Sequence, residues 1–364
     1  MQVTVDELCA AIAAISIVPS RAGITASEFI LVKNLGSRIS FTLTAEMYGS
    51  TYAKVEGEQD QPWRFNVDRA SFIPFVLTAR ELGQKGPFEF TLKDDVLHVK
   101  CGNRRATFQK VGADVSGYTE VAPKKGHGSA LKLTGEQKFM LKLAAKYATQ
   151  DPTVAHLNCV YLAKKKAILA SDQLSAFYME DPVVPLSVPM PLLLLRVLDA
   201  EQVRSIVVSD TLAKIELSNG YICQVTNKKA ASEFPVKALL KNIAAADEYP
   251  RKIAVKATLL LEVLSRLVSY ISFIVKRELT VTVRGKAGEK RIRLTSYVPS
   301  GKFEETVPTV KPISEDFQCE WLLNSLTPLA EVADRLGVLS VCFDEGTSYL
   351  FKSKGFRLLT SRKA

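Results

Sequence analysis

Histidine is scarce in this chain: three His (98, 127 and 156) occur in 364 residues, and their spacing does not suit a metal pair. The six Cys stand singly at 9, 101, 159, 223, 319 and 342, without a Cys-x-x-Cys. That pattern argues against zinc and suits a reducing, cytoplasmic setting. The sequence also lacks G-x-x-x-x-G-K-[ST], G-x-S-x-G and any paired metal carboxylates. Little is left from which to build a general base, so an enzyme with dispersed catalytic residues is the least supported reading and no cofactor is expected. Long apolar runs are missing too. The most apolar stretch, Val188 to Leu198, is broken by Pro189, Pro191 and Arg196, far short of the roughly 20 residues of a membrane helix. The first residues carry Asp6 and Glu7 and no basic region, unlike a signal peptide. With 19 Gly and 16 Pro, the chain is neither collagenous nor of low complexity.

What is present is an ordinary globular composition, 47% hydrophobic and 24% charged. At 364 residues two or three domains are expected. The formal charge of +10 is uneven: −1 over 1–122, +6 over 123–245 and +5 over 246–364. A basic excess of that size suits a polyanion partner, or simply a soluble basic surface.

Internal repetition sets those cuts. Residues 88–111, 204–228 and 337–362 each read as strand, acidic turn, strand, Gly turn, strand. Asp94, Asp210 and Asp344 mark the first turn, and Gly102, Gly220 and Gly355 the second. A second set, 38–55, 166–181 and 290–307, reads as strand, bend, strand, with the alternation of half-buried antiparallel strands. Helical patterns precede each set. The first helices are expected at Val5–Ile15, Thr134–Thr149 and Ala257–Ser272, with Thr4 and Thr134 as N-caps. The second helices are expected at about Asp68–Leu82, Met190–Ala200 and Asp316–Leu326. Pro123–Ser129 and Ala244–Pro250 read as linkers, giving domains 1–122, 123–245 and 246–364.

Each copy is then an α+β unit whose two helices bury apolar faces on antiparallel sheets. In the first helix of copy two, Phe139, Leu143 and Tyr147 form the buried stripe. Lys138, Lys142 and Lys146 recur beside it at i, i+4 and i+8. A lysine row is usually a solvated face. Without interposed acids, however, it favours a phosphate-facing stripe.

The triplication, with Leu157-Asn158 before a hairpin that carries Ala170-Ser171-Asp172, the Glu233-Phe234-Pro235 turn, Leu260-Leu261 to Ser272 and Gly102 to Phe108, resembles the bacterial DNA polymerase sliding clamp, the beta subunit. The resemblance covers nearly the whole chain. It implies three tandem clamp domains forming half of a ring, two chains joined head to tail around double-stranded DNA, and a processivity factor for DNA replication without enzyme activity. DNA polymerase and clamp-loader subunits would be partners through short linear motifs, and no membrane is involved. Carried over by position, DNA would meet Arg21, Arg80, Arg196 and Arg204, with Lys138, Lys142 and Lys146 added from periodicity. Arg80 and Arg196 equally suit plain helix C-terminal cations. A partner-peptide cleft would comprise Leu157, Ser171, Leu174, Pro235, Leu239, Leu240, Leu358 and Leu359, of which Leu157 and Leu240 equally suit plain core. The dimer interface would set Ala106 and Phe108 against Tyr270 and Ile271, unless Phe108 is an ordinary inward strand residue. The chain departs from the family at Asp172-Gln173-Leu174-Ser175-Ala176, where the family's Gly, His and Arg are lost, and in its polar, basic C-terminal tail. A second reading stays open: a basic DNA-binding regulator, or a decoy for clamp partners, that does not close into a ring.

Overall fold

The computed structural model describes residues 1–16, 28–44, 48–57, 61–110, 129–131, 134–151, 153–154, 156–164, 167–180, 187–195, 198, 203–208, 212–225, 233–272, 280–298, 301–344 and 348–361. The first copy runs β1 (Gln2–Val3), α1 (Val5–Ser16), β2 (Phe29–Asn34), β3 (Arg38–Thr44), β4 (Tyr48–Lys54), β5 (Trp63–Asp68), α2 (Arg69–Glu81), β6 (Phe88–Lys93), β7 (Val96–Cys101) and β8 (Arg104–Gln109). The second runs β9 (Ser129–Leu131), α3 (Gly135–Ala145), β10 (Cys159–Ala163), β11 (Ala167–Ser171), β12 (Ser175–Glu180), β13 (Val188–Pro191), α4 (Leu192–Leu195), β14 (Val203–Val208), β15 (Leu212–Leu217) and β16 (Gly220–Val225). After α5 (Val236–Asp247), the third runs β17 (Arg251–Lys256), α6 (Ala257–Ser272), β18 (Thr280–Gly285), β19 (Arg291–Val298), β20 (Gly301–Pro308) and β21 (Phe317–Leu322). It ends with α7 (Leu323–Leu326), a 3₁₀ turn (Thr327–Val332), α8 (Ala333–Leu336), β22 (Val338–Phe343), β23 (Ser348–Ser353) and β24 (Phe356–Ser361). The order strand, helix, four strands, helical segment, three strands thus recurs three times.

Local chemistry explains where the helices start. Thr4 Oγ1 accepts from the Glu7 amide at 3.2 Å, and Asp6 and Glu7 sit in the first turn of α1, against the positive end of its dipole. Asp68 caps α2 by accepting from the Ser71 amide at 2.8 Å. Thr134 and Gln137 form a reciprocal capping box on α3, both bonds 3.1 Å.

The copies are knitted together by strand pairing. One eight-stranded sheet has the order β5-β2-β3-β4-β16-β15-β14-β9, and the other β13-β10-β11-β12-β24-β23-β22-β17. Each joins strands of two copies, at β4–β16 and at β12–β24. Two four-stranded sheets, β1-β6-β7-β8 and β20-β19-β18-β21, are made from the first and third copies alone. The chain accordingly groups into two compact units, 1–138 with 190–228 and 139–189 with 229–364. The first unit's core includes Ile12, Phe41, Phe65, Phe72, Phe88 and Phe90, and the second's Tyr147, Phe177, Trp321, Phe343, Phe351 and Phe356. All six cysteines are free. Among the described residues, no helix is long and apolar enough to cross a membrane.

Four sequence expectations are corrected. The stretch Asp316–Leu326 is mostly strand β21 and becomes helical only at Leu323. Phe317 and Trp321 are both buried on one side of it, a two-residue period that competes with the helical one. In Met190–Ala200, strand β13 reaches Pro191, so the helical part begins at Leu192, with α4 over Leu192–Leu195. The linker at 244–250 contains the last turn of α5, whose Leu239, Ile243 and Ala246 are buried against the sheet. The expected cut at 245 therefore falls inside a helix. Helix α3 is shorter than expected, ending at Ala145.

Candidate functional site

A concavity of the second unit lies where β11, β12, α5 and β24 converge. It is a cleft of about 250 Å³ lined by Ser171, Gln173, Leu174, Ser175, Ala176, Leu239, Asn242, Ala245, Tyr249, Ser348, Leu359 and Ser361. Strand alternation builds one wall: Ala176 stands opposite Leu359 on the β12–β24 ladder, while their neighbours Phe177 and Leu358 point to the other face. There Phe177 stacks on Tyr147 with ring centroids 5.2 Å apart. Helix α5 forms the facing wall. It buries Leu239 and Ile243 in an apolar cluster with Leu157, Cys159, Leu169 and Phe234, and turns Asn242 and Ala245 outward.

The third wall is the β11–β12 turn. Asp172 Oδ1 accepts from the amides of Leu174 at 3.0 Å and Ser175 at 2.6 Å. Ser171 Oγ accepts from the Gln173 amide at 3.3 Å. Gln173 is held at a φ of 78°, in the left-handed region that costs a non-Gly residue energy unless its surroundings fix it. Burial pushes the Asp172 carboxyl up from its ordinary range, against the four hydrogen bonds that pull it down. Among the described residues, no charged side chain lines the cleft itself.

Of the expected cleft residues, Ser171, Leu174, Leu239 and Leu359 line it. Leu157 and Leu240 belong to the apolar cluster behind it, and Pro235 occupies the cap position of α5. Leu358 is fully buried in the opposite layer. The sequence reading missed Gln173, Ser175, Ala176, Asn242, Ala245, Tyr249, Ser348 and Ser361. The alternation of β24 could have separated Leu358 from Leu359.

Of the expected DNA-facing cations, Arg80 is exposed in the last turn of α2, and Arg204 is exposed on β14. Arg21 and Arg196 lie outside the described residues. In the lysine row of α3, Lys138 Nζ donates to the Val203 carbonyl at 3.2 Å. Lys142 is half-buried, and Lys146, just past the helix, pairs with Glu331. Leu143 and Tyr147 are buried as the periodicity requires, and Phe139 carries the Arg335 guanidinium 5.2 Å from its ring centroid.

The two four-stranded sheets each end in a long strand with no strand paired to its outer side among the described residues, β8 in one and β20 in the other. Along β8, Arg104 stacks over Phe75 at 4.7 Å, Ala106 is half-buried, and Phe108 packs edge-on against Phe72 at 5.4 Å and Phe75 at 6.0 Å. Beside β20, Tyr270 is 41% exposed and stacks on Phe303 at 5.0 Å. Ile271 lies in the last turn of α6, with its side chain outside the described residues.

This arrangement of sheets and helices matches solved structures over the full length of the chain. The beta sliding clamp of Caulobacter crescentus aligns with a TM-score of 0.80 at 18% identity, covering 100% of this chain and 98% of that one. The DnaN clamp of Bartonella birtlesii, described as DNA polymerase III subunit beta bound to griselimycin, gives 0.81 at 15%, covering 100% and 99%. The Bacillus subtilis clamp gives 0.79 at 16%, with the same coverage. The chain has the sliding-clamp fold. No protein-family model matches it, and no curated protein sequence does. The sliding-clamp fold is thus shared with structures to which the sequence is only 15–18% identical.

Proposed function

We propose that this chain is a DNA sliding clamp: two copies join head to tail into a ring around duplex DNA, and the ring tethers the replicative polymerase. The observation that carries this reading is the pair of open strand edges. In sequence order β4, β12 and β20 are equivalent strands, as are β16, β24 and β8. The first two pairs already join copies within the chain, β4 to β16 and β12 to β24. By the same rule, β20 of one chain takes β8 of the next, making a third eight-stranded sheet, β21-β18-β19-β20-β8-β7-β6-β1. Tyr270 and Phe303 would flank that seam beside Ala106.

A closed ring works by topology. It cannot leave a circular duplex, yet it can slide, because Lys and Arg contacts to phosphate carry no sequence information. The +10 charge and the α3 lysine row suit such a lining, together with Arg21, Arg80, Arg196 and Arg204. The cleft of the second unit would take short polymerase and loader peptides by an aliphatic or aromatic anchor. A clamp needs no catalytic residue and works in the cytoplasm, where the DNA is. The deciding experiment loads the protein on nicked circular DNA and then linearises it. Retention on the circle and loss from the linear form is expected, and equal retention on both refutes the topological mechanism.

A further inference from the structure

We propose that the cleft of the second unit selects acidic peptides, namely a segment whose uncharged anchor fills the cleft and whose flanks carry Asp or Glu; this rests on the peptide-cleft reading above. The cleft interior and its rim differ in character. Inside there are hydroxyls and amides (Ser171, Gln173, Ser175, Asn242) over an apolar floor (Leu174, Leu239, Leu359). A charged side chain placed there would lose its hydration without a counter-ion, so the anchor is neutral.

The rim is basic. On α5, Lys237, Lys241 and Ala245 follow one another at i, i+4 and i+8, so the two lysines share a row with a cleft-lining residue. Both are exposed. Among the described residues, the acids of these walls other than Glu248 are engaged. Asp172 is held by the Leu174 and Ser175 amides. Asp247, at the end of α5, pairs with Lys352 and with Arg357 Nε at 3.5 Å. Asp344, near Ser348, has a partner of its own, and Glu248 stands exposed at the far end of α5, seven residues beyond Lys241. A peptide leaving the cleft toward the start of α5 therefore meets Lys241 and Lys237, with Glu248 lying beyond Ala245 at the opposite end, and opposite-sign flanks speed its encounter and fix its direction.

The test uses the full chain and three labelled peptides with one core, Gly-Leu-Ser-Leu-Phe, flanked by Asp, Ser or Lys triplets. Binding is read by fluorescence anisotropy at two salt concentrations. The Asp-flanked peptide is expected to bind roughly three- to tenfold more tightly than the Ser-flanked one, and the Lys-flanked one more weakly. The differences should shrink as salt rises. Lys237→Glu with Lys241→Glu should invert the order while leaving the Ser-flanked affinity within about twofold. Both sites are exposed, so the fold tolerates the changes. Ala245→Phe, which fills the cleft from an exposed helix position, should abolish binding of all three. If the three peptides bind equally and Ala245→Phe still blocks them, the charge selection is wrong and the cleft reading stands. If none binds, or Ala245→Phe changes nothing, the cleft reading fails and takes the selection with it.

Discussion

The register of the proposed seam can be worked out and tested by a double-mutant cycle. At both internal joints, the first ladder residue after the Gly turn faces the residue three positions into the hairpin strand. Gly220, which pairs with Leu217 across its turn, stands opposite Thr51, three beyond Tyr48. Phe356, which pairs with Ser353, stands opposite Met179, three beyond Ala176. In β8 the corresponding residue is Arg104, paired with Cys101. In β20 the first pair is Gly301 with Val298, and three positions on is Glu304. The seam therefore sets Arg104 opposite Glu304.

The guanidinium of Arg104 is held over Phe75 at 4.7 Å, and among the described residues its buried Nη1 has no acceptor. Glu304 already shares Arg293 at 3.4 Å and Lys302 at 3.2 Å, which lowers what a further cation adds. A coupling of about 1–2 kcal/mol per seam follows, between the exposed and the desolvated limits. A two-chain ring has two seams, so the coupling counts twice, about 2–4 kcal/mol, or roughly 30- to 1,000-fold in the dimer constant. Sedimentation velocity over a dilution series, on Arg104→Ala, Glu304→Ala and the double variant, separates this coupling from the loss of the Phe75 stack. The 40.1 kDa chain should run at twice its mass and dissociate more readily in each single variant. Purely additive effects would show that the register is wrong. A monomer at all concentrations would remove the ring altogether.

Other outcomes follow from the same structure. Replacing Lys138, Lys142 and Lys146 with Ala should flatten the salt dependence of DNA binding by about one unit of log–log slope per lost contact, measured by titration across salt; an unchanged slope means that the α3 row does not meet phosphate. Phe177→Ala should cost about 3–5 kcal/mol in urea unfolding, because the side chain is fully buried between Tyr147 and Phe356. Asp172 has a raised carboxyl pKa, so the folded state holds its proton to higher pH than the unfolded chain. Its contribution to stability is therefore full at low pH and is lost as pH rises through the folded value. The stability gap between wild type and Asp172→Asn should change across that acidic window and be flat above it. Burial pushes the Cys159 and Cys319 thiols up to about 12 and Cys223 to about 11. Thiol reagents near pH 8 should thus label these three only on unfolding.

What could be read from the sequence was local. Helices α1, α2 and α6 follow from helical apolar patterns, α1 with Thr4 as its N-cap. The strand triplets follow from alternation punctuated by Gly102, Gly220 and Gly355. The joints between copies had no such signature: Tyr48 pairs with Cys223, and Ser175 with Thr360, and nothing near either residue announces the other. Helix α5 was hidden because it has no side-chain N-cap, only Pro235, and its alanine-rich end reads like a linker. In the cleft, the residues found in advance were aliphatic or next to a familiar motif. Those missed are small and polar, such as Asn242 and Ser348, and become site residues only when β24 and α5 meet across about 100 residues of chain, a distance that no periodicity spans.

The charges on the two open edges also bear on how copies can meet. A long unpaired strand invites any other edge to add to it, and charged side chains are a common defence. Here the two edges carry opposite signs. Strand β8 presents Arg104 and Arg105, while β20 presents Glu304 and Glu305, the latter held by Arg266 Nε at 3.2 Å. Two β8 edges brought together would oppose arginine with arginine, and two β20 edges glutamate with glutamate; like charges directly opposite on a ladder are destabilising. Only β8 with β20 brings unlike charges together. In the proposed ring, repulsion would therefore disfavour head-to-head and tail-to-tail pairing, and attraction would favour the head-to-tail arrangement that repeats the two joints already inside the chain. A monomeric DNA-binding protein would have reason to blunt both edges, but none to give them complementary charge.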